Sequence, residues 1–96
     1  NSTDMKNFEE LINSSEKVMI KFGANWCGPC KIMDTRLDPL IKEGLNVHKV
    51  DVEKYSNLGA KLAVRNLPTT IVFQNGEVVE RFSGYATVEQ LRNKLK

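Results

Sequence analysis

The chain has 96 residues, 41% of them hydrophobic and 27% charged, with a formal charge of +2. That length accommodates one domain, 1–96, around a single modest core, and the composition is that of an ordinary soluble globule, neither disordered nor membranous. The lysines and arginines are too few in excess and too scattered to form a nucleic-acid stripe, and runs such as Thr70-Ile71-Val72-Phe73 fall far short of the ~20 apolar residues that span a bilayer.

In chain order, Thr3 or Asp4 can cap a first helix whose apolar face is Met5, Phe8, Leu11 and Ile12. Val18-Met19-Ile20-Lys21-Phe22 reads as an interior strand, nearly all apolar, with Lys21 the exception. Gly23-Ala24-Asn25 turns the chain out of it. A helix from about Cys27 to Glu43 follows, with Met33, Leu37, Leu40 and Ile41 expected inward and Gly44 placed to end it. Pro39 lies within that helix and should kink it near Thr35 by removing one hydrogen bond.

The run from Val47 to Val52 makes a second strand, joined to the first through a helix and therefore parallel to it. A short helix around Asn57–Ala63 follows, with Leu58 and Leu62 one turn apart. Thr70–Phe73 and Val78–Phe82 flank Asn75-Gly76, a strong hairpin signal. Thr87 opens the last helix with a capping box to Gln90, and Val88, Leu91 and Leu95 supply its buried face. The series α-β-α-β-α-β-β-α predicts an α/β fold, a mixed sheet with helices on both sides.

Cys27 and Cys30 carry the most chemistry. With two residues between them, they close too small a loop to act as a long-range staple. A structural metal site needs four ligands, and His48 is the only other soft candidate; no metal and no other cofactor is expected. Inert cysteines would sit within an apolar stripe, whereas these stand among Trp26, Gly28 and Pro29 at a strand-to-helix junction. A redox pair fits best. At a helix's amino end, unpaired N–H groups and the helix dipole favour negative charge, which lowers a thiol pKa below its ordinary ~8.5. Cys27, expected to face solvent, is then the nucleophile, and Cys30, one turn inward, the resolving thiol. Gly28 permits the tight turn. Pro29 removes a donor that would stabilise the thiolate, which biases the couple toward being a reductant. Trp26 is read as shielding and shaping the site.

Trp26-Cys27-Gly28-Pro29-Cys30-Lys31 resembles the active-site signature of the thioredoxin family, and the resemblance runs from about residue 3 to residue 96. It implies the thioredoxin fold and a cis-proline loop at Leu67-Pro68-Thr69 facing the cysteines. It also implies a glycine after the last strand at Gly84 and a lysine beside the site at Lys49. Trp26, Leu67, Pro68 and Gly84 would then receive the client, as part of a flat apolar patch around the Cys27 sulfur. The implied activity is reduction of protein disulfides, with recharging by a thioredoxin reductase. Clients are disulfide-containing proteins, and the molecule is expected to be a cytoplasmic monomer, since the polar amino terminus shows no secretion signal. A glutaredoxin-like reductant and an idle structural subunit of a larger complex are the alternatives.

Three features depart from the family pattern. Lys21 stands where a buried aspartate is usual, Gly23 where an aromatic residue is common, and the family's leading strand is missing, so about four strands are expected. A buried ammonium is costly, so Lys21 is expected to be partly solvated, near Lys49 and met by Glu53 or Asp38. Lys21 and Lys49 are grouped with Gly28 and Pro29 as residues that tune the redox pair.

Overall fold

The computed structural model describes residues 2–96, with side chains from residue 5 onward. Its elements are α1 (Ser2–Ile12), β1 (Val18–Gly23), α2 (Gly28–Lys42), β2 (Val47–Asp51), α3 (Ser56–Lys61), β3 (Thr69–Gln74), β4 (Glu77–Ser83) and α4 (Val88–Lys94). The described residues form a four-stranded sheet in the order β2-β1-β3-β4. β1 runs parallel to β2, as a helical crossover demands, and antiparallel to β3, which pairs antiparallel with β4. The β3–β4 turn is Asn75-Gly76 with φ of 54° and 81°. Two successive positive φ values are what a two-residue hairpin needs to match strand twist.

Side-chain alternation along β1 sorts the core into two layers. Val18, Ile20 and Phe22 face one side and join Phe8 and Ile12 of α1, Leu58 of α3, and Ile71 and Phe73 of β3. Met19 faces the other, against Met33, Leu37 and Leu40 of α2, Val72 of β3 and Leu91 of α4. Lys21 is two residues beyond Met19 and so alternates onto the α2 side. Thr87 caps α4 with the expected box to Gln90. The Arg92 guanidinium of α4 lies 2.6 Å from the carboxylate of Glu43, the residue that caps α2. That hydrogen bond holds the Glu43 carboxyl below its ordinary range.

Several expectations need correction. α1 begins at Ser2, so Thr3 and Asp4 lie in its first turn rather than at its cap. Leu11 (36% exposed) and Ile41 (40% exposed) do not share the buried faces. Each flanks a stripe spaced at i, i+4 whose centre is Phe8–Ile12 or Met33–Leu37, and the sheet covers only that centre. α2, by contrast, runs as expected through Pro39 to Lys42, with the Thr35 hydroxyl donating to the Ile32 carbonyl 2.6 Å away. The largest correction is Lys21. It is 5% exposed rather than partly solvated, and its partner is Asp34, neither Glu53 nor Asp38.

Candidate active site

β1 ends at Gly23, and the chain turns through Ala24, whose carbonyl accepts the Cys27 N–H at 3.1 Å. Cys27 is the cap residue of α2, in an extended conformation (φ −88°, ψ 107°). Its sulfur takes the place of a capping oxygen, accepting the Cys30 N–H at 3.2 Å. Pro29 occupies the first turn, where a missing N–H leaves no intrahelical bond unmade. The two cysteines form a disulfide with a Cα–Cα distance of 5.3 Å. Cys27 retains 5% exposure and Cys30 1%. The expected solvent-facing Cys27 is thus a narrow opening, because the Cys30 N–H and the flanking loops enclose the sulfur.

Trp26 stands 69% exposed, anchored through its indole N–H to a Glu53 carboxylate oxygen at 2.9 Å. Glu53 is itself placed by its N–H donating to Asp51 at 2.8 Å. Beside the sulfurs runs a groove of about 570 Å³, with Trp26, Gly28 and Pro29 on one wall and Val64, Arg65 and Leu67 on the other. The Leu67–Pro68 bond is cis. Pro68 is buried behind the groove, and its carbonyl accepts the N–H of Gly84, which has φ +84°. The Thr69 hydroxyl donates to the Asn66 carbonyl. The carbonyls on either side of Leu67 are thus occupied, while Leu67's own N–H and C=O have no hydrogen-bond partner among the described residues.

On the opposite side of the disulfide, the Lys21 ammonium lies 2.6 Å from Asp34 Oδ1. Lys49 Nζ is 2.6 Å from Asp38 and 3.9 Å from Asp34. Among the described residues, no three His, Cys, Asp or Glu side chains gather as a metal site. Gly23 has the least room of the glycines. A Cβ on it would lie 3.0 Å from both Cys30 Sγ and Lys21 Nζ. Gly23→Ala should therefore cost about 1–3 kcal/mol, since overpacking forces neighbours off their preferred positions. Urea unfolding of the oxidised protein measures it; a midpoint unchanged from wild type would show that the ammonium simply swings aside.

The structure brings Trp26, Cys27, Gly28, Pro29 and Leu67 to one groove, sets Pro68 and Gly84 behind it, and places Lys21 and Lys49 on the far side of the disulfide. Sequence reasoning missed Asp34, Val64 and the Trp26–Glu53 bond. Asp34 had a signal: Cys30, Asp34 and Asp38 recur at i, i+4, i+8 along one helix face.

The thioredoxin family model matches residues 1–96. The chain belongs to the thioredoxin family. Among its relatives, chloroplastic thioredoxin Y1 of Arabidopsis thaliana is 38% identical over 93 residues, covering 93% of this chain and 54% of that protein. Thioredoxin of Mycoplasmoides gallisepticum is 31% identical over 96 residues, covering 98% of this chain and 96% of its own length. Mouse mitochondrial thioredoxin is 34% identical over 100 residues, covering 100% and 60%. The chain thus spans about half the length of some relatives it matches. Fasciola hepatica thioredoxin superposes with a TM-score of 0.82 at 31% identity, covering 98% of this chain and 90% of that one. A mutant thioredoxin from Halobacterium salinarum superposes at 0.84 with 27% identity, covering 94% and 80%. In this family member the Cys-x-x-Cys pair is closed as a disulfide at the start of α2.

Proposed function

We propose that residues 1–96 form a single redox domain that reduces protein disulfides through the Cys27–Cys30 dithiol. The observation that carries this reading is the Cys27 sulfur at the cap of α2, bonded by a backbone N–H and opening beside an apolar groove. Once the disulfide is reduced, that N–H and the helix dipole favour the Cys27 thiolate over the thiol. The thiolate attacks one sulfur of the client disulfide, forming a mixed disulfide and releasing the other client sulfur. Cys30 then attacks Cys27, closing the internal disulfide and expelling the reduced client. Two electrons pass from the dithiol to the client, and both sulfurs of the couple belong to this chain. No metal or organic cofactor has a step to perform.

The groove supplies recognition. Trp26, Leu67 and Val64 offer apolar surface to an extended client segment, and the free Leu67 N–H and C=O can pair with its backbone. Pro68 and Gly84 hold that loop in place. Gly28 keeps the approach to Cys27 open, and Pro29 withholds one N–H from the thiolate, favouring a reductant. Disulfide-bearing proteins are the clients, a thioredoxin reductase the electron source, and a monomer the working form. A dithiol of this kind persists in a reducing compartment. The cytoplasm is our reading, with the chloroplast and mitochondrion, for which relatives are named, as the alternatives that cell fractionation separates. No helix among the described residues is long and apolar enough to cross a membrane.

The test is reduction of insulin followed by turbidity, with dithiothreitol as electron source. The wild-type chain should accelerate precipitation well above dithiothreitol alone. An unaccelerated reaction would end the reading.

A further inference from the structure

Disulfide exchange as described above leaves one buried charge unemployed. The Lys21 side chain is 6% exposed and its ammonium lies 2.6 Å from Asp34. Asp34 Oδ1 is itself buried and, at that distance, takes no hydrogen bond of good alignment. Charge rather than directed bonding holds the two together. α2 presents Cys30, Asp34 and Asp38 on one stripe, and β1 and β2 present Lys21 and Lys49, which pair in register, to that stripe. Gly23 is the window between them: the inner sulfur and the ammonium both border the space its missing side chain leaves. A crevice of about 330 Å³, lined by Lys21, Gly23, Asp34 and Lys49 and also by Lys31 and Asp51, admits water to this cluster.

We propose that Lys21 is a positioning residue for the resolving step. Its ammonium rests on Asp34 while the disulfide is closed and turns to the Cys30 sulfur when the pair is open. This rests on Cys30 being the resolving thiol. An opposite charge within a few ångströms favours the ionised form of a group, so Lys21 promotes the Cys30 thiolate where the family commonly places a carboxylate. In the step itself, the Cys30 proton passes to crevice water and the thiolate attacks Cys27 Sγ. The Cys27–Cys30 bond forms, the Cys27–client bond breaks, and the departing client sulfur takes the electron pair and then a proton from solvent. Of the other charges facing the cluster, Lys49 is occupied by Asp38 and Asp34 opposes the ammonium, while Lys31 and Asp51 lie along the crevice with opposite signs.

The experiment is the titration of both thiols in the reduced protein, by carbon-13 NMR of labelled cysteines. It is run in wild type, Lys21→Met, Asp34→Asn and the double variant, which removes both charges together and leaves neither unpaired. Lys21→Met should raise the Cys30 pKa by about one unit or more, and Asp34→Asn should lower it by freeing the ammonium. A one-unit rise cuts the thiolate about tenfold at neutral pH and raises its intrinsic nucleophilicity about threefold. Single-turnover release of client from the Cys27 mixed disulfide should therefore slow about threefold. The reduction potential of Lys21→Met should move more negative, because the reduced form loses stabilisation. Opposite shifts in the two single variants support the proposal. Identical Cys30 titration in all four proteins, or shifts of the same sign in both single variants, would overturn it. A wild type inactive on insulin would instead refute the reductase reading, and the titration is read independently of that assay.

Discussion

Cys27→Ser should reduce insulin no faster than dithiothreitol alone, a loss on the order of 10³ or more, as removal of a covalent nucleophile produces. The cap geometry places one sulfur, that of Cys27, against both a backbone N–H and the groove where a client lies. A serine hydroxyl there can still cap α2, so the fold should survive and the loss can be read as chemistry. Cys30→Ser gives the complementary result. Cys27 still attacks, nothing resolves the product, and a mixed disulfide with the client accumulates on a non-reducing gel. The residual exposures of 5% and 1% put Cys27 on the accessible side. Faster alkylation of Cys30 than of Cys27 in the reduced wild type at neutral pH would reverse the two roles.

Phe73→Ala should cost about 3–5 kcal/mol, the usual range for deleting a buried ring. Phe73 is 1% exposed on β3 and meets Phe8 of α1 edge-on, with ring centroids 5.6 Å apart. It pairs in register with Val18 at the start of β1, the end of the strand away from the cysteines. Total stabilities of about 5–15 kcal/mol are normal for small domains, so this one ring carries a large share. The thermal midpoint of the oxidised protein should fall by roughly 12 °C or more. Activity per folded molecule should be unchanged, because Thr69, at the other end of β3, is the part that adjoins the client loop. A loss below about 1 kcal/mol would show that Phe8 and its neighbours collapse into the space.

The elements that could be read from sequence are those with local causes. Asn75-Gly76 demands two positive φ values, Thr87 and Gln90 satisfy each other's N–H groups, and a strand-helix-strand series makes β1 and β2 parallel. The cysteine pair was legible for the same reason, since its position at a helix start follows from neighbouring residues. The environment of Lys21 was not. Desolvation argued for water, but the carboxylate that makes burial tolerable comes from α2, and only the alternation of β1 taken together with the Cys30–Asp34–Asp38 stripe points to it. The groove's second wall was equally hidden, because Val64 and Arg65 reach Cys27 only through the fold of the loop after α3. Leu11 and Ile41 show the converse limit: apolar identity alone does not reveal how wide a stripe the sheet will cover.

The space beside Gly23 also constrains how this sequence can change over generations. Positions 21, 23 and 34 are coupled, because the ammonium of one, the absent side chain of the second and the carboxylate of the third share one small volume. An aspartate at position 21 with Asp34 in place would set two carboxylates against each other. Neutralising Asp34 first would leave the buried Lys21 ammonium without its counter-ion. An aromatic side chain at position 23 would meet Cys30 Sγ and Lys21 Nζ before either of the others had moved. Single changes at these positions should each be costly, and their effects should not simply add.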